Sequence, residues 1–200
     1  MIESKACVSR RESLRYSFRP LGGAFVALAL FLFPAPPAPA QDGAFASCIR
    51  ALAEQDLAGK AAFQEAVRDL IAAQKPEFEP LASLHMAHQI ALAQIRTARL
   101  AYLLVHDPGR IDTGSLSKFR NFDWSAADDA AFAAQDPEAG RLLARVAELR
   151  KKNDGHPDWP RLREFVRNEL SPGPAFRALI ADLSVHDRAV RKGLKDCRRG

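Results

Sequence analysis

Two cysteines, Cys48 and Cys197, bracket almost everything that follows the N-terminal apolar run of this 200-residue chain. A bond between them is the strongest constraint on the fold, because it obliges the first and last segments to lie side by side. Both cysteines belong to amphipathic segments. In "FASCIRALAEQDL", Phe45, Cys48, Ile49 and Leu52 recur at helical spacing, and Phe176, Ile180, Leu183, Val190, Leu194 and Cys197 do the same in the last segment. The pattern predicts two terminal helices packed together with a Cys48–Cys197 disulfide across them. On the chain-entropy model, closing a loop of about 150 residues restricts the unfolded state by about 5 kcal/mol, which is of the order of a small domain's whole stability. A redox pair more often reads C-x-x-C, whereas these two are remote in sequence.

A structural disulfide implies an oxidising compartment, and the N-terminus predicts export to one. Residues 1–20 carry Lys5, Arg10, Arg11, Arg15 and Arg19; "LGGAFVALALFLF" follows, then "PAPPAPA", with Ala38 and Ala40 spaced as at a signal-peptidase site. The apolar run of 13 residues is short against the ~20 needed to span a bilayer. A cleavable signal peptide over residues 1–40 is therefore expected, with cleavage after Ala40, no transmembrane anchor left behind, and a periplasmic or secreted location. Cys7 leaves with it, so the remaining cysteine count is even. "SRRESLR" (Ser9 to Arg15) resembles in part the twin-arginine export signal, with Ser13 where phenylalanine is usual and Arg15 in place of lysine.

The leader also accounts for much of the basic excess. Residues 1–40 hold five of the 29 basic residues and only Glu3 and Glu12 among the 24 acidic ones, so 24 basic and 22 acidic residues remain beyond them, a net +2. Nucleic acid is not an expected partner on that balance. What stays basic is local: Arg188, Arg191, Lys192, Lys195, Arg198 and Arg199 complement the C-terminal end of a helix dipole.

No segment beyond residue 40 shows the period-2 alternation of β-branched residues that strands need, and alanine and leucine dominate. The fold class expected is all-α: one domain over residues 41–200, built as a compact bundle of about six to seven helices. A first helix is expected from residue 43 to a stop at Gly59, a second over "KAAFQEAVRDLIAAQ", and a third from Leu81 to His106 with Leu84, His88, Ala91, Leu92, Ile95, Ala98 and Tyr102 as its buried stripe. "RIDTGSLSKFRNFDW" reads as irregular, and its three aromatics point to a loop that packs back on the core. Ser125 with Asp128 predicts a cap for the next helix, Asp136–Pro137 opens another, Pro160 sits in the first turn of a helix through Leu170 with Asp158 as its candidate cap, and Ser171–Pro172 precede the last.

Chemistry-bearing motifs are few. "HMAH" sets His85 and His88 three residues apart, a spacing that can hold a metal, with Glu79 the nearest third ligand; a hydrogen-bonded core histidine is the competing reading for His88. "NDGHPDWP" after Arg150, Lys151 and Lys152 resembles the His-Pro-Asp loop of J-domain co-chaperones, but "NDG" separates it from the helix. "FASCIRALAEQDLAGKAAFQEAV" with "KPEF" is faintly similar to the entry segment of B-type lytic transglycosylases. Those enzymes use a glutamate before serine, and here only Glu3 and Glu12, both in the leader, have that context. No Gly-x-Ser-x-Gly, glycine-rich phosphate loop or His-Glu-x-x-His occurs, and no cofactor site is legible. In "FRNFDW", Arg120, Phe122 and Trp124 combine charge and aromaticity as partner-gripping surfaces do.

These readings lead to a non-enzymatic binding or adaptor module of the bacterial envelope, with an envelope protein or cell-wall component as partner. The alternatives are an envelope enzyme acting on cell-wall material and a metal carrier using His85 and His88.

Overall fold

The computed structural model describes residues 40–199. The expected leader, with Cys7 and the Ser9–Arg15 motif, lies outside the described residues. Among those described, seven α-helices and no strand form: α1 (Ala40–Gln74), α2 (Glu79–His106), α3 (Leu116–Arg120), α4 (Ala126–Gln135), α5 (Pro137–Asp154), α6 (Trp159–Phe165) and α7 (Pro174–Cys197). Two 3-10 turns, Pro76–Phe78 and Pro108–Arg110, mark the proline-led breaks, and a π-helical turn over Val166–Leu170 prolongs α6.

The long helices line up as a row in the order α7, α1, α2, α5, with α4 laid against α5. Chain order differs from row order, because α6 and its π-turn carry the chain from α5 back to α7. Three apolar clusters hold the row together. The first joins Ile49 and Leu52 of α1 to Leu100 and Leu103 of α2 and to Val190, Leu194 and Cys197 of α7. The second joins Ile71, Leu81, Leu162, Phe165 and Leu170. The third joins Ile95, Phe132 and Ala139. Each fully buried Leu, Ile or Phe contributes about 1.5–3 kcal/mol.

The helix count agrees with the sequence reading, yet its make-up differs in two places. Gly59 does not stop a helix: α1 runs unbroken for 35 residues through it. A β-carbon at Gly59 would overlap the imidazole of His186, and one at Gly193 would stand 2.6 Å from Leu52 Cδ1. These glycines let α7 approach α1 closely, which offsets the ~1 kcal/mol that an interior glycine costs a helix. The stretch expected to be irregular contains α3, whose N-cap Ser115 accepts from the Lys118 amide at 3.1 Å.

The caps follow the sequence with one exception. Ser125 and Asp128 form a capping box, and Asp136 Oδ1 accepts from the Glu138 amide at 2.8 Å. Asp158 takes the N-cap position of α6 without a side-chain cap hydrogen bond; its carboxylate accepts instead from Arg161 at 3.1 Å. Of the expected α2 stripe His88, Ala91 and Ile95 are buried while Leu84, Leu92, Ala98 and Tyr102 are half-buried; a helix flanked by α1 and α5 buries Leu81, Ala93, Leu100, Leu103 and Leu104 in addition. Ile180, assigned inward, is 42 % exposed, because α7 is tied down chiefly through its C-terminal half.

Cys48 and Cys197 are bonded, with their α-carbons 5.6 Å apart. The bridge belongs to the first cluster and pins the last turn of α7 to α1. No described helix is long and apolar enough to cross a membrane.

Candidate ligand groove

Two regions concentrate polar chemistry, and they differ in what they leave free. The first is a buried charge cluster between α1, α2, α3 and α7. Asp56, 4 % exposed, accepts from Arg120 Nε at 3.0 Å and also from Arg120 Nη2, which reaches Asp187 Oδ1 at 2.7 Å. Arg96, Lys60 and His186 complete the surround. Burial works against the charge on Arg120, but the hydrogen bonds to Asp56 and Asp187 outweigh it and raise its pKa. Burial lowers Lys60, aided by Arg120 and opposed by Asp187 and Asp56. Asp56 and Asp187 are two convergent carboxylates, the arrangement an acid–base enzyme needs. Here both are engaged by one guanidinium, and the cavity that Asp56 lines is only about 10 Å³. The cluster serves as an internal tie between α1, α3 and α7.

The second region is a groove of about 470 Å³. One wall is the second half of α1, where Phe63, Val67 and Ile71 recur every fourth residue and so share a face. Ala82 and His85 of α2 form the floor, and Trp159, Leu162, Arg163, Val166 and Arg167 of α6 and the π-turn form the opposite wall, closed off by Ser171 and Phe176. The π-turn is closed by the Ser171 amide donating to the Val166 carbonyl at 2.8 Å. It is a wider coil than an α-turn, and such turns recur at functional sites. Pro172 and Pro174 then force the break that sends α7 away and leaves the groove open.

The electrostatics of the groove are one-sided. Arg68, Arg163 and Arg167 line it and no aspartate or glutamate does. Arg163 lies over the Trp159 ring, 5.7 Å from its centroid, and its Nε donates to the Trp159 carbonyl at 3.3 Å. Trp159 is fixed by donation from its indole nitrogen to the Asn153 carbonyl and by the edge-on ring of His85, with centroids 5.1 Å apart. Burial holds His85 below its ordinary pKa, the Asn153 side chain opposing and the charge of His88 adding to the drop, so the ring is neutral at pH 7. At the groove the buried His85 Nδ1 has no hydrogen-bond partner, while Arg68 Nε lies 2.7 Å from Asp69 Oδ1.

The residues singled out in the sequence are scattered over this geometry. His85 lines the groove, while His88, one helical turn away, is 6 % exposed in the core and neither of its ring nitrogens is hydrogen-bonded. Glu79, the expected third ligand, accepts from Ser83 Oγ at 2.7 Å, and among the described residues no three His, Cys, Asp or Glu side chains gather as a metal requires. Arg120, Phe122 and Trp124 do not present a common outward face. Arg120 ends on the buried carboxylates, and Phe122 packs against the first cluster. Trp124 donates to Asp129 at 2.8 Å and lies beside Arg99 and Arg110. The exposed side chains of that loop are Asn121 and Asp123.

The sequence reading missed the groove. Its one available signal was the four-residue spacing of Phe63, Val67 and Ile71, which becomes a continuation of the Ile49–Leu52 face only once Gly59 is taken as helix interior. Comparison with family models, with curated proteins and with solved structures finds no match for this chain.

Proposed function

We propose that this chain is an exported, non-enzymatic binding module of the bacterial envelope, and that the groove between α1, α2, α6 and the start of α7 is its ligand site. One observation carries the reading: a partly enclosed, largely apolar cavity, bounded by a fixed tryptophan and free of carboxylates, in a chain whose convergent carboxylates are tied up elsewhere. A volume of about 470 Å³ falls in the range of about 300–1,000 Å³ usual for small-molecule sites, which are mostly apolar with a few placed polar groups. The Cys48–Cys197 bridge supports an oxidising location, since such bonds persist outside the cytosol. The terminal clasp and the buried charge cluster then act as the scaffold that keeps the groove walls in place.

Native mass spectrometry of the chain recovered from the envelope fraction tests this. The expected species is the oxidised polypeptide carrying one small apolar molecule, with that molecule missing from a Val67→Trp variant whose side chain fills the groove. Recovery of the chain reduced in the cytosol, or bare in both wild type and variant, would overturn the proposal.

A further inference from the structure

We infer that the groove takes a single-chain amphiphile with one anionic head group, of which a long-chain carboxylate is the simplest form; this rests on the groove being the binding site. The apolar walls supplied by Phe63, Val67, Ile71 and Leu162 accommodate a chain and offer it nothing to hydrogen-bond. The charge pattern selects the head. Elsewhere in the fold the half-buried arginines are met by aspartates: Arg99 by Asp129 at 2.6 Å, Arg110 by Asp128 at 2.9 Å, and Arg120 by Asp56 and Asp187. At the groove three arginines line the cavity and no carboxylate does. Arg163 and Arg167, both exposed, have no ion pair among the described residues, and Arg68 Nε lies 2.7 Å from Oδ1 of its exposed sequence neighbour, Asp69.

Guanidinium groups bind carboxylates and phosphates through paired, charge-assisted hydrogen bonds. Three of them around one apolar cavity with no carboxylate in its lining favour an anionic head over a cationic one. His85 Nδ1 adds a polar atom at the floor where the chain passes, and the Trp159 ring provides a flat apolar contact. A polyanion such as nucleic acid does not match a mostly apolar groove of about 470 Å³; a molecule with an apolar tail and one charged end does.

The test is titration calorimetry on the oxidised full chain, below the micellar concentration of each ligand, with decanoate, dodecanoate and dodecyltrimethylammonium. Dodecanoate should bind at one per chain, and decanoate about 15-fold more weakly, since each methylene removed from a buried chain costs about 0.8 kcal/mol. An Arg163→Ala/Arg167→Ala variant, altered at two exposed positions so that its helix content should be unchanged, should bind dodecanoate at least tenfold more weakly and lose the salt dependence seen in wild type. Val67→Trp should abolish binding. Equal affinity for the cationic ligand, with the chain-length dependence kept, would remove the anionic class while leaving the groove as the site. Failure of all three ligands to bind would remove both readings. Flotation with phosphatidylglycerol vesicles separates the free amphiphile from a bilayer source. Vesicle binding that survives Val67→Trp, with no monomer binding, would assign the anion preference to the basic end of α7 and overturn the groove proposal.

Discussion

Arg120 on α3 and Asp56 on α1, 64 residues apart in sequence, meet in a buried ion pair with Nε 3.0 Å from Oδ2. The guanidinium is only 14 % exposed and the carboxylate 6 %, so removing one partner strands the other. Asp56→Ala should destabilise the fold by about 3–5 kcal/mol in urea unfolding, because it leaves the Arg120 charge buried without its main partner. Asp187, which shares Arg120, should matter less than Asp56, being 23 % exposed. A single-variant cost below ~1 kcal/mol for Asp56 would show that water already reaches the pair.

The glycines at the α1–α7 contact make a counter-intuitive prediction. Alanine is the better helix former by about 1 kcal/mol, yet Gly193→Ala should lower stability by up to about 2 kcal/mol, since the new methyl meets buried Leu52 and overpacking costs about 1–3 kcal/mol. Gly59→Ala should act likewise by displacing the His186 ring. Thermal unfolding of both variants checks the sign; a rise in Tm in either would mean that α7 sits further from α1.

Much of this fold is legible in the sequence, and the remainder fails for identifiable reasons. Helical period, proline-led starts and the Ser125 and Asp136 caps are local signals, and they place most helix ends correctly. The Cys48–Cys197 pairing is non-local, and it is legible because both cysteines sit on the inward stripes of the terminal helices. Gly59 misleads because a glycine that ends a helix and one that admits a neighbouring helix look alike until the neighbour is known. Arg120 misleads for the same reason: beside aromatics it resembles a gripping residue, and its true partners lie on helices far away in the chain. The groove is a meeting of α1, α2 and α6, so no single stretch of residues announces it.

Acidification should weaken the fold in two stages. His85 has its pKa lowered in the folded state, chiefly by burial, so the unfolded chain binds the proton more readily; the histidine's contribution is complete above its ordinary 6.5 and is lost as pH falls through the lower folded value. Burial tends to raise Asp187, but the hydrogen bond and charge of Arg120 outweigh it and hold the carboxyl below 3.8, so its contribution is present above that pH and lost further down. Urea midpoints measured between pH 7.5 and 5 should fall for the wild type and fall less for His85→Gln. An identical slope in the two would assign the proton to another group.

The terminal clasp should be worth about 2–4 kcal/mol. Cys48→Ser/Cys197→Ser should lower the unfolding free energy from urea titration by that amount and speed hydrogen exchange in the last two turns of α7, around Val190 and Leu194, while leaving α2 protected. Thiol labelling of denatured, unreduced chain from its native compartment should find both sulfurs blocked.

The central claim is that the groove beside Trp159 is where the ligand resides, and fluorescence quenching by a brominated dodecanoate tests it most directly. The chain has two tryptophans, and Trp124 packs in the separate α2–α4–α5 cluster. The account predicts saturable quenching in the wild type that disappears in Trp159→Phe, with the emission of Trp124 unaffected. Quenching that persists undiminished in Trp159→Phe, or is absent from the wild type at saturating ligand, would contradict it.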